Sequence, residues 1–468
     1  MAAESELFGK SEYGALSTVD GRDASMVTAL RPHLSEFGLM KNRTRVEAAW
    51  MLFLSVKLPE IPILPDQARE LLEKLSTGEA FGAAEMGDIK THEAVVNHDV
   101  KSVELMLRDR FADNGSFGDH IEFTHFGLTS EDVNNLAEGI GLGDAREQVL
   151  LPAIGGVVND LGEKALAWAD IPMLGRTHGQ PATPTTLGKE IVVFKDRIEE
   201  ATEHFAAVAA KGKLNGATGG YNALAYVYPD VNWAQLSKEF VESLGLEFNR
   251  ATTQVEPHDW MARYLHGLSG ALYPMTDLTK DMWLYISQDY IKQIPVEGEV
   301  GSSTMPQKIN PIMFEKAESN FETFYNGADG LARKLTQSRL QRDLSDSSSR
   351  RAMYPAIGHA LIGITSLKRG LAKVDVNEPV ISADLDQHWE VLTENIQQVM
   401  RRYNAVGGYD KMKEISRGKK FTKDVYLEVV DAIAAELPGE EVERLRAQTP
   451  ATNVGYAAKI ARGTELDD

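Results

Sequence analysis

The sequence predicts an all-α protein built around a bundle of long helices. Three segments in the middle of the chain carry apolar residues at alternating steps of three and four, close to the 3.5-residue period of helices that pack side by side. Alternating strand patterns are scarce, and the short candidate at 222–231 is interrupted by Pro229. With 468 residues, the chain is long enough for two or three domains and a large core.

Each of the three segments predicts one long helix with a buried face, because its apolar positions fall on one stripe of a helical surface. The stripes comprise Leu187, Ile191, Phe194, Ile198, Ala201, Phe205 and Val208; Leu265, Leu268, Leu272, Met275, Thr279, Met282 and Ile286; and Phe314, Ala317, Phe321, Phe324, Ala328, Leu331 and Leu335. These helices also hold enough apolar surface to pack against other subunits, so we expect an oligomeric bundle.

Breaks in this periodicity predict three domains. Prolines and glycines separate shorter helical segments within residues 1–118, which we interpret as an N-terminal helical domain. Residues 119–370 form the predicted central domain of long helices. Beyond residue 371 the stretch "KVDVNEPVIS" ends the pattern, and shorter amphipathic segments predict a C-terminal helical domain at 371–468.

Composition excludes several classes of function. The net charge is 49 − 69 = −20, so we expect no nucleic-acid partner, which would need a basic stripe. A local cluster of arginine and lysine can still bind a small anionic substrate. The chain has no cysteine, which excludes disulfides, thiolate catalysis and cysteine-ligated metals. No run of about 18 apolar residues and no signal peptide are present, so we expect no membrane span and a cytoplasmic location.

We also expect no cofactor and no metal. The glycines at 139, 141 and 143 lack the spacing of a dinucleotide-binding loop, and no phosphate-binding Walker loop occurs. The eleven histidines show no metal-ligand spacing. A serine hydrolase would need a strand–serine–helix elbow, which this helical pattern does not offer.

What remains is acid–base chemistry beside an anion site. The stretch "GSSTMPQKINP" at 301–311 has paired serines and a lysine ahead of a predicted helix. A serine hydroxyl acts as a base only if cations or backbone N–H groups stabilise its alkoxide, and Lys308 and this loop could supply them. His178, in the polar stretch "GRTHGQPATP", is the natural complementary acid. Read alone, Thr129-Ser130 and Asn310-Pro311 are equally typical of helix N-termini.

These motifs carry a family resemblance. The loop "GSSTMPQKINP" resembles the signature loop of the fumarase/aspartase superfamily, whose members are three-domain, all-α homotetrameric lyases that release fumarate. Together with "RTHGQPATPTTLGKE" and "QRDLSDSS", seven motifs in order from residue 20 to about 420 resemble the bacterial adenylosuccinate lyase family. The resemblance implies a tetramer core of many helices, active sites shared among three subunits, and conversion of adenylosuccinate to AMP and of SAICAR to AICAR.

The resemblance also implies roles for individual residues. Ser302 takes the position of the general base and His178 that of the general acid, with Glu315 as the carboxylate that orients the histidine. Lys308 and Asn310 match groups that hold the substrate carboxylates. His98 is counted with the catalytic residues. The further substrate contacts are Arg22, Asn97, Asp99, Thr129, Ser130, Thr177, Gln254 and Ser303, together with Arg342, Ser347 and Arg351, which belong to the nucleotide side.

Two positions depart from the family pattern. Asp23 stands where a tyrosine commonly follows the arginine, and Gln307 stands where histidine is usual. Glutamine at the second position is more typical of argininosuccinate lyase. Two alternatives therefore stay open at this stage: a lyase for argininosuccinate or another fumarate-yielding substrate, and a non-catalytic helical scaffold.

Overall fold

The structure is a computed structural model that describes residues 15–58, 61, 64–295, 305, 308–405, 413–415, 417 and 420–464. Helices dominate the described chain, so the predicted all-α class is confirmed. No helix among the described residues is both long enough and apolar enough to cross a membrane.

The helices fall into three stretches along the chain. The first holds α1 (Arg31–Leu34), α2 (Glu36–Lys57), α3 (Asp66–Thr77), α4 (Ala83–Val96) and α5 (Asp99–Asn114). The second holds α6 (Ser130–Ala145), α7 (Leu151–Ala167), α8 (Leu187–Ala206), α9 (Asn222–Val227), α10 (Trp233–Ser243), α11 (Asp259–Ser287), α12 (Ile312–Leu335) and α13 (Ser345–Leu371). The third holds α14 (Glu378–Asp386), α15 (Thr393–Arg402), α16 (Lys423–Ile433), α17 (Gly439–Ala447) and α18 (Ala457–Ala461).

Strands are short and occur in pairs within the described residues. They are β1 (Pro172–Thr177) with β2 (Gln180–Thr186), antiparallel; β3 (Lys211–Gly212) with β4 (Glu247–Phe248), parallel; and β5 (Ile291–Gln293) with β6 (Val374–Val376), antiparallel. The candidate strand at 222–231 is instead helix α9. Proline at position 229 then follows the end of that helix, where it does not remove a helical hydrogen bond.

The three apolar stripes lie in α8, α11 and α12, as predicted, except that Val208 follows the end of α8. Of the stripe residues, all but Ala201, Val208, Ile286 and Leu331 are buried. The 3.5-residue spacing therefore identified the buried faces of these helices correctly.

The chain divides into two compact units. The first unit comprises Met1–Ile154, Ala201–Leu272 and Ser319–Thr365, and the second comprises Gly155–Glu200, Tyr273–Glu318 and Ser366–Asp468. The predicted three-domain boundaries at 118 and 370 stay a prediction.

Aromatic residues organise the core of the first unit. The Trp50 indole meets the Phe240 ring edge-on at 4.9 Å, and its N–H donates to the backbone oxygen of Phe126 at 2.9 Å. A second cluster between α2 and α5 contains Phe111 and Phe117, whose rings stack at 4.0 Å. Burying such large rings supplies much of the hydrophobic stabilisation of a core.

The second unit has a core of its own around α15, α16 and α17. Trp389 packs on Tyr426, whose ring is buried while its hydroxyl donates to the backbone oxygen of Leu445 at 2.7 Å. Leu174 of β1 belongs to the same cluster. The C-terminal helices therefore hold one edge of the β1–β2 hairpin in place.

Candidate active site

His178 lies at the tip of the β1–β2 hairpin in the second unit. Thr177 pairs with Gln180, so His178 and Gly179 alone form the turn. Both have positive φ, 54° and 74°, which is the pattern of a type I′ turn. Left-handed backbone is uncommon for a residue other than glycine, although histidine adopts it more readily than most. The predicted acid therefore extends from a tight two-residue turn, with its side chain exposed.

Below its tip, the hairpin is tied to α14 by an ion pair. Arg176 contacts the Asp384 carboxylate at 2.7 Å, and the Tyr290 hydroxyl donates to the same carboxylate oxygen. Gly175 lies at a register shift between the strands, where a Cβ would come within 2.3 Å of the Thr183 backbone oxygen. Only glycine fits there, so the backbone of the hairpin that carries His178 is constrained at this position.

A cavity of about 880 Å³ adjoins this hairpin within the second unit. Thr177, Lys189, Glu190 and Asp281 are among its lining residues. The Lys189 ammonium contacts Glu190 at 2.9 Å, and burial raises the pKa of Asp281, with nearby acids adding to the shift. A cavity of this size suits a small ligand, and its charged groups suit a polar one.

The predicted catalytic loop is described only in part. Ser302, Ser303 and Gln307 lie outside the described residues, so their positions stay a prediction. Lys308 is exposed, and the Gln293 amide fixes the adjoining chain by donating to the Ile309 backbone oxygen at 2.6 Å.

Helix α12 begins directly after Asn310-Pro311, as the sequence suggested. The N–H of Ile312 donates to the Asn310 backbone oxygen at 2.8 Å, and Glu315 lies in the first turn. The Trp283 indole donates to the Glu315 carboxylate at 3.2 Å. The predicted pairing of Glu315 with His178 stays a prediction.

In the first unit, Asn97, His98 and Asp99 connect α4 to α5. Asn97 ends α4 in a left-handed conformation, with φ of 49°. His98 is the N-cap of α5, where its Nδ1 accepts the N–H of Lys101 at 3.2 Å. Asp99 contacts Arg43 at 2.8 Å and Arg351 at 3.6 Å. Burial alone would raise the pKa of Asp99, but Arg43 outweighs it and the pKa is lowered.

Thr129 and Ser130 mark the N-terminus of α6, the predicted cap. The Thr129 N–H donates to the Asp132 carboxylate at 2.9 Å. Asp132 also pairs with Lys213 at 2.8 Å, and both side chains are fully buried. Since unpaired N–H groups make a helix N-terminus attractive to anions, the half-buried Thr129 and Ser130 suit a negatively charged ligand.

Three of the predicted nucleotide-side residues lie at or just before the start of α13. Ser347 and Arg351 lie within this helix, and Arg342 precedes it and contacts Glu131 at 2.8 Å. Gln254 is held nearby, because its N–H donates to the backbone oxygen of Gln341 at 3.2 Å. Its side-chain amide donates to the Ala217 backbone oxygen at 3.1 Å.

Within the first unit, an ion pair joins the predicted residues Asp99 and Arg351. Arg342 is linked to Asp99 less directly, through Glu131, Asn134 and Arg43. Arg22 is exposed on the segment before α1, and the neighbouring Asp23 is buried and accepts from the Thr18 hydroxyl at 2.5 Å. His178, Thr177, Lys308, Asn310 and Glu315 belong to the second unit.

Sequence reasoning missed the buried charges that support these residues. They are Arg43, Glu131, Glu138, Asp346 and Arg350, joined by the buried amide of Asn134. From the sequence, Thr129-Ser130 indicated only a helix N-terminus and gave no sign of the buried Glu131 beside it. Within the described ranges, no group of three or more acidic or histidine side chains is placed to hold a metal ion.

Comparison with known proteins identifies the family. A model described as lyase matches residues 67–320, and one described as adenylosuccinate lyase C-terminal matches residues 338–454. Adenylosuccinate lyases of Vibrio cholerae and Escherichia coli are each 42% identical to this chain, over 453 and 449 residues, covering 96% of this chain and 98% of each relative. The chain belongs to the adenylosuccinate lyase family.

Solved structures agree on the fold of this adenylosuccinate lyase family member. A 3-carboxy-cis,cis-muconate lactonizing enzyme from Pseudomonas putida has a TM-score of 0.69 at 19% identity, covering 93% of this chain and 95% of its own. A fumarate lyase from Mesorhizobium sp. BNC1 has a TM-score of 0.66 at 17% identity, covering 93% and 97%. The resemblance to the fumarase/aspartase superfamily is confirmed, and the chain is a lyase.

Proposed function

We propose that the chain catalyses elimination of fumarate from adenylosuccinate, giving AMP, and from SAICAR, giving AICAR. The match to adenylosuccinate lyases over nearly the whole chain carries this proposal. The cationic groups of the first unit support it, because arginines suit a nucleotide phosphate through forked, charge-assisted hydrogen bonds. A cytoplasmic location belongs to the same proposal, since AMP and its precursors are charged metabolites.

The reaction needs two proton carriers and a site for developing charge. Ser302 removes the proton from the carbon β to the leaving nitrogen, and the electron pair moves onto the adjacent carboxylate as an aci-carboxylate. The charge then returns to form the fumarate double bond, the carbon–nitrogen bond breaks, and His178 donates a proton to the departing nitrogen. Lys308 and Asn310 bind the substrate carboxylates and stabilise the anion where it forms.

The hairpin supports His178 in the role of acid. A residue in a two-residue turn has its backbone position fixed by strand pairing, and the Arg176–Asp384 ion pair anchors this hairpin below the tip. The exposed imidazole can therefore reach beyond its own chain. A fixed donor geometry lowers the entropic cost of proton transfer.

We further propose a homotetramer with shared active sites. Helix α11 exposes large apolar side chains, with Tyr273, Trp283 and Leu284 each 44–51% accessible in the single chain. Tyr273 and Leu284 lie eleven residues apart, which brings them to one face after three helical turns. Such residues on one long helix favour burial against another subunit.

Fumarate release tests the proposed activity. The purified protein is offered adenylosuccinate, SAICAR and argininosuccinate separately, and fumarate is followed by absorbance. We expect release from the first two. Release from argininosuccinate alone would refute the proposal and favour the sibling activity suggested by Gln307, and release from none would favour a scaffold. A His178→Ala preparation run in parallel controls for contaminating lyase.

A further inference from the structure

The two arginines predicted for the nucleotide side each meet a carboxylate of the first unit. Arg342 contacts Glu131 at 2.8 Å, and Arg351 contacts Asp99 at 3.6 Å. Arg342 is only 20% exposed, whereas the side chain of Arg351 is 67% exposed. The position of Arg342 therefore depends more strongly on its protein neighbours.

Glu131 is itself held firmly. Its side chain is 1% exposed, accepts the Asn134 amide at 2.7 Å and lies 3.4 Å from Arg350. Burial alone would raise the pKa of Glu131, but Arg350 and Arg342 outweigh it and lower the pKa to about 2. The carboxylate is therefore charged at neutral pH.

A chain of hydrogen bonds continues from Glu131 to the second carboxylate. Asn134 accepts from Arg43 Nε at 2.9 Å, and Arg43 donates to Asp99 at 2.8 Å. Each member of this chain is buried or half-buried. The contacts thus fix the spacing between the carboxylates that hold Arg342 and Arg351.

We propose that Glu131 is a positioning residue for the nucleotide phosphate, acting through Arg342. The inference rests on the proposed function, in which Arg342 binds the phosphate end of the substrate. A guanidinium has five N–H donors in a rigid fork, and the Glu131 carboxylate forms an ion pair at 2.8 Å with one terminal nitrogen of Arg342. The remaining donors are thereby presented in one fixed orientation, which reduces the entropy lost when phosphate binds.

Glu131→Gln tests this role, because it keeps the shape and removes the charge. Glu138→Gln is the matched control: Glu138 pairs with the same buried Arg350 at 2.7 Å, whereas Arg342 pairs with Glu131. Any loss of stability that comes from removing a charge from the buried cluster therefore affects both variants. We expect Glu131→Gln alone to raise KM for adenylosuccinate on the order of tenfold, with kcat within about threefold of wild type.

The phosphate-free nucleoside analogue of the substrate separates positioning from a structural effect. With that analogue, we expect wild type and Glu131→Gln to have similar kcat/KM, since no phosphate meets Arg342. In an Arg342→Gln background, Glu131→Gln should change KM by less than about twofold. An equal loss with and without phosphate, or an equal KM increase in Glu138→Gln, would overturn the proposal.

Binding of AMP, measured by calorimetry, gives a readout that needs no turnover. We expect weaker AMP binding in Glu131→Gln than in Glu138→Gln; equal affinities would overturn the positioning role. If Glu131→Gln does not fold, Glu131→Asp keeps the negative charge in the cluster but withdraws the carboxylate by one methylene from Arg342 and Arg350 alike. Glu138→Asp is then the control, and the same KM and AMP comparisons apply. If the wild type releases no fumarate, that result counts against the proposed function alone. The role of Glu131 is still tested by comparing the AMP affinities of the two variants.

Discussion

Replacing Lys213 by methionine should destabilise the first unit strongly, although the lysine lies in no predicted site. Its ammonium contacts Asp132 at 2.8 Å, and both side chains have no exposed surface. Methionine preserves the length of the side chain and removes its charge. The Asp132 carboxylate is then left buried without a countercharge, which is the costly way to break an ion pair.

The structure sets the size of the effect. Losing one partner of a buried pair costs about 3–5 kcal/mol. Asp132 keeps backbone N–H donors from Thr129 at 2.9 Å, Asn215 at 3.0 Å and Gly216 at 3.2 Å, and these continue to stabilise its charge. We therefore expect the lower end of the range, a loss of about 3 kcal/mol in the free energy of unfolding.

Urea unfolding followed by circular dichroism, at one fixed protein concentration, measures this loss. Lys238→Met is the matched control, because Lys238 pairs with Glu242 at 3.8 Å on one helix with both side chains about half exposed. That change should cost less than about 0.5 kcal/mol. A loss of under about 1 kcal/mol for Lys213→Met, or one equal to the control, would show that the backbone donors alone stabilise Asp132 and would refute the reasoning.

Three further predictions concern the hairpin, the proton carriers and pH. Ser302→Ala and His178→Ala should each lower kcat by about two to four orders of magnitude with the oligomer intact. If the sites are shared, mixed oligomers of the two variants regain activity in the fumarate assay, and inactivity after confirmed subunit exchange argues against sharing. Gly179→Ala should cost about 1 kcal/mol, because alanine is strained at a φ of 74°. A Cβ there meets nothing within 4 Å, so no steric clash adds to that strain. The kcat should fall more than in Gly179→Asn, which tolerates the left-handed turn, and equal kcat values would contradict this. Burial lowers the pKa of His125, but Glu47 at 2.6 Å outweighs it and raises the pKa above its ordinary 6.5. The pair's stabilisation is therefore complete below pH 6.5 and is lost as the pH rises through the raised pKa, so thermal unfolding scans should show a pH dependence that Glu47→Gln removes; an unchanged profile in that variant would contradict the assignment.

The long helices could be predicted from sequence because their cores repeat locally. The stripe of α12, from Phe314 to Leu335, has the same three-and-four spacing in the sequence as on its buried face. The cap at Thr129 could be predicted for a similar reason, since its partner Asp132 lies only three residues away. Helical spacing and helix caps depend on neighbouring residues, so both can be predicted from the sequence without knowing the fold.

The hairpin around His178 could not be predicted in this way. Strand β1 has no apolar alternation, and β2 contains two prolines, so neither resembles a half-buried strand. The His-Gly turn also lacks the Asn-Gly or Asp-Gly signal that usually marks a two-residue hairpin. Nothing in the polar stretch therefore predicts strands, although the structure pairs its two halves.

The buried charged residues could not be predicted from the sequence for a different reason. Arg350 and Glu138 are 212 residues apart in the sequence, and nothing in the residues around either one indicates that its charge is buried. The polar run "SDSSSRR" likewise gave little helical signal, yet it forms the first two turns of α13. Its Arg350 is held there by acids from α6, so the helix is stabilised by tertiary contacts that no local pattern reveals.

The helix cap formed by His98 determines which ring nitrogen of this side chain carries the proton. Its Nδ1 accepts the Lys101 N–H, so that nitrogen has no proton, and in the neutral ring the proton lies on Nε2. The half-exposed imidazole therefore presents a hydrogen-bond donor to its surroundings and has no free lone pair for taking a proton. While α5 keeps this cap, His98 is equipped to orient an acceptor, such as a carbonyl or phosphate oxygen, and a base at this position would have to release the helix first.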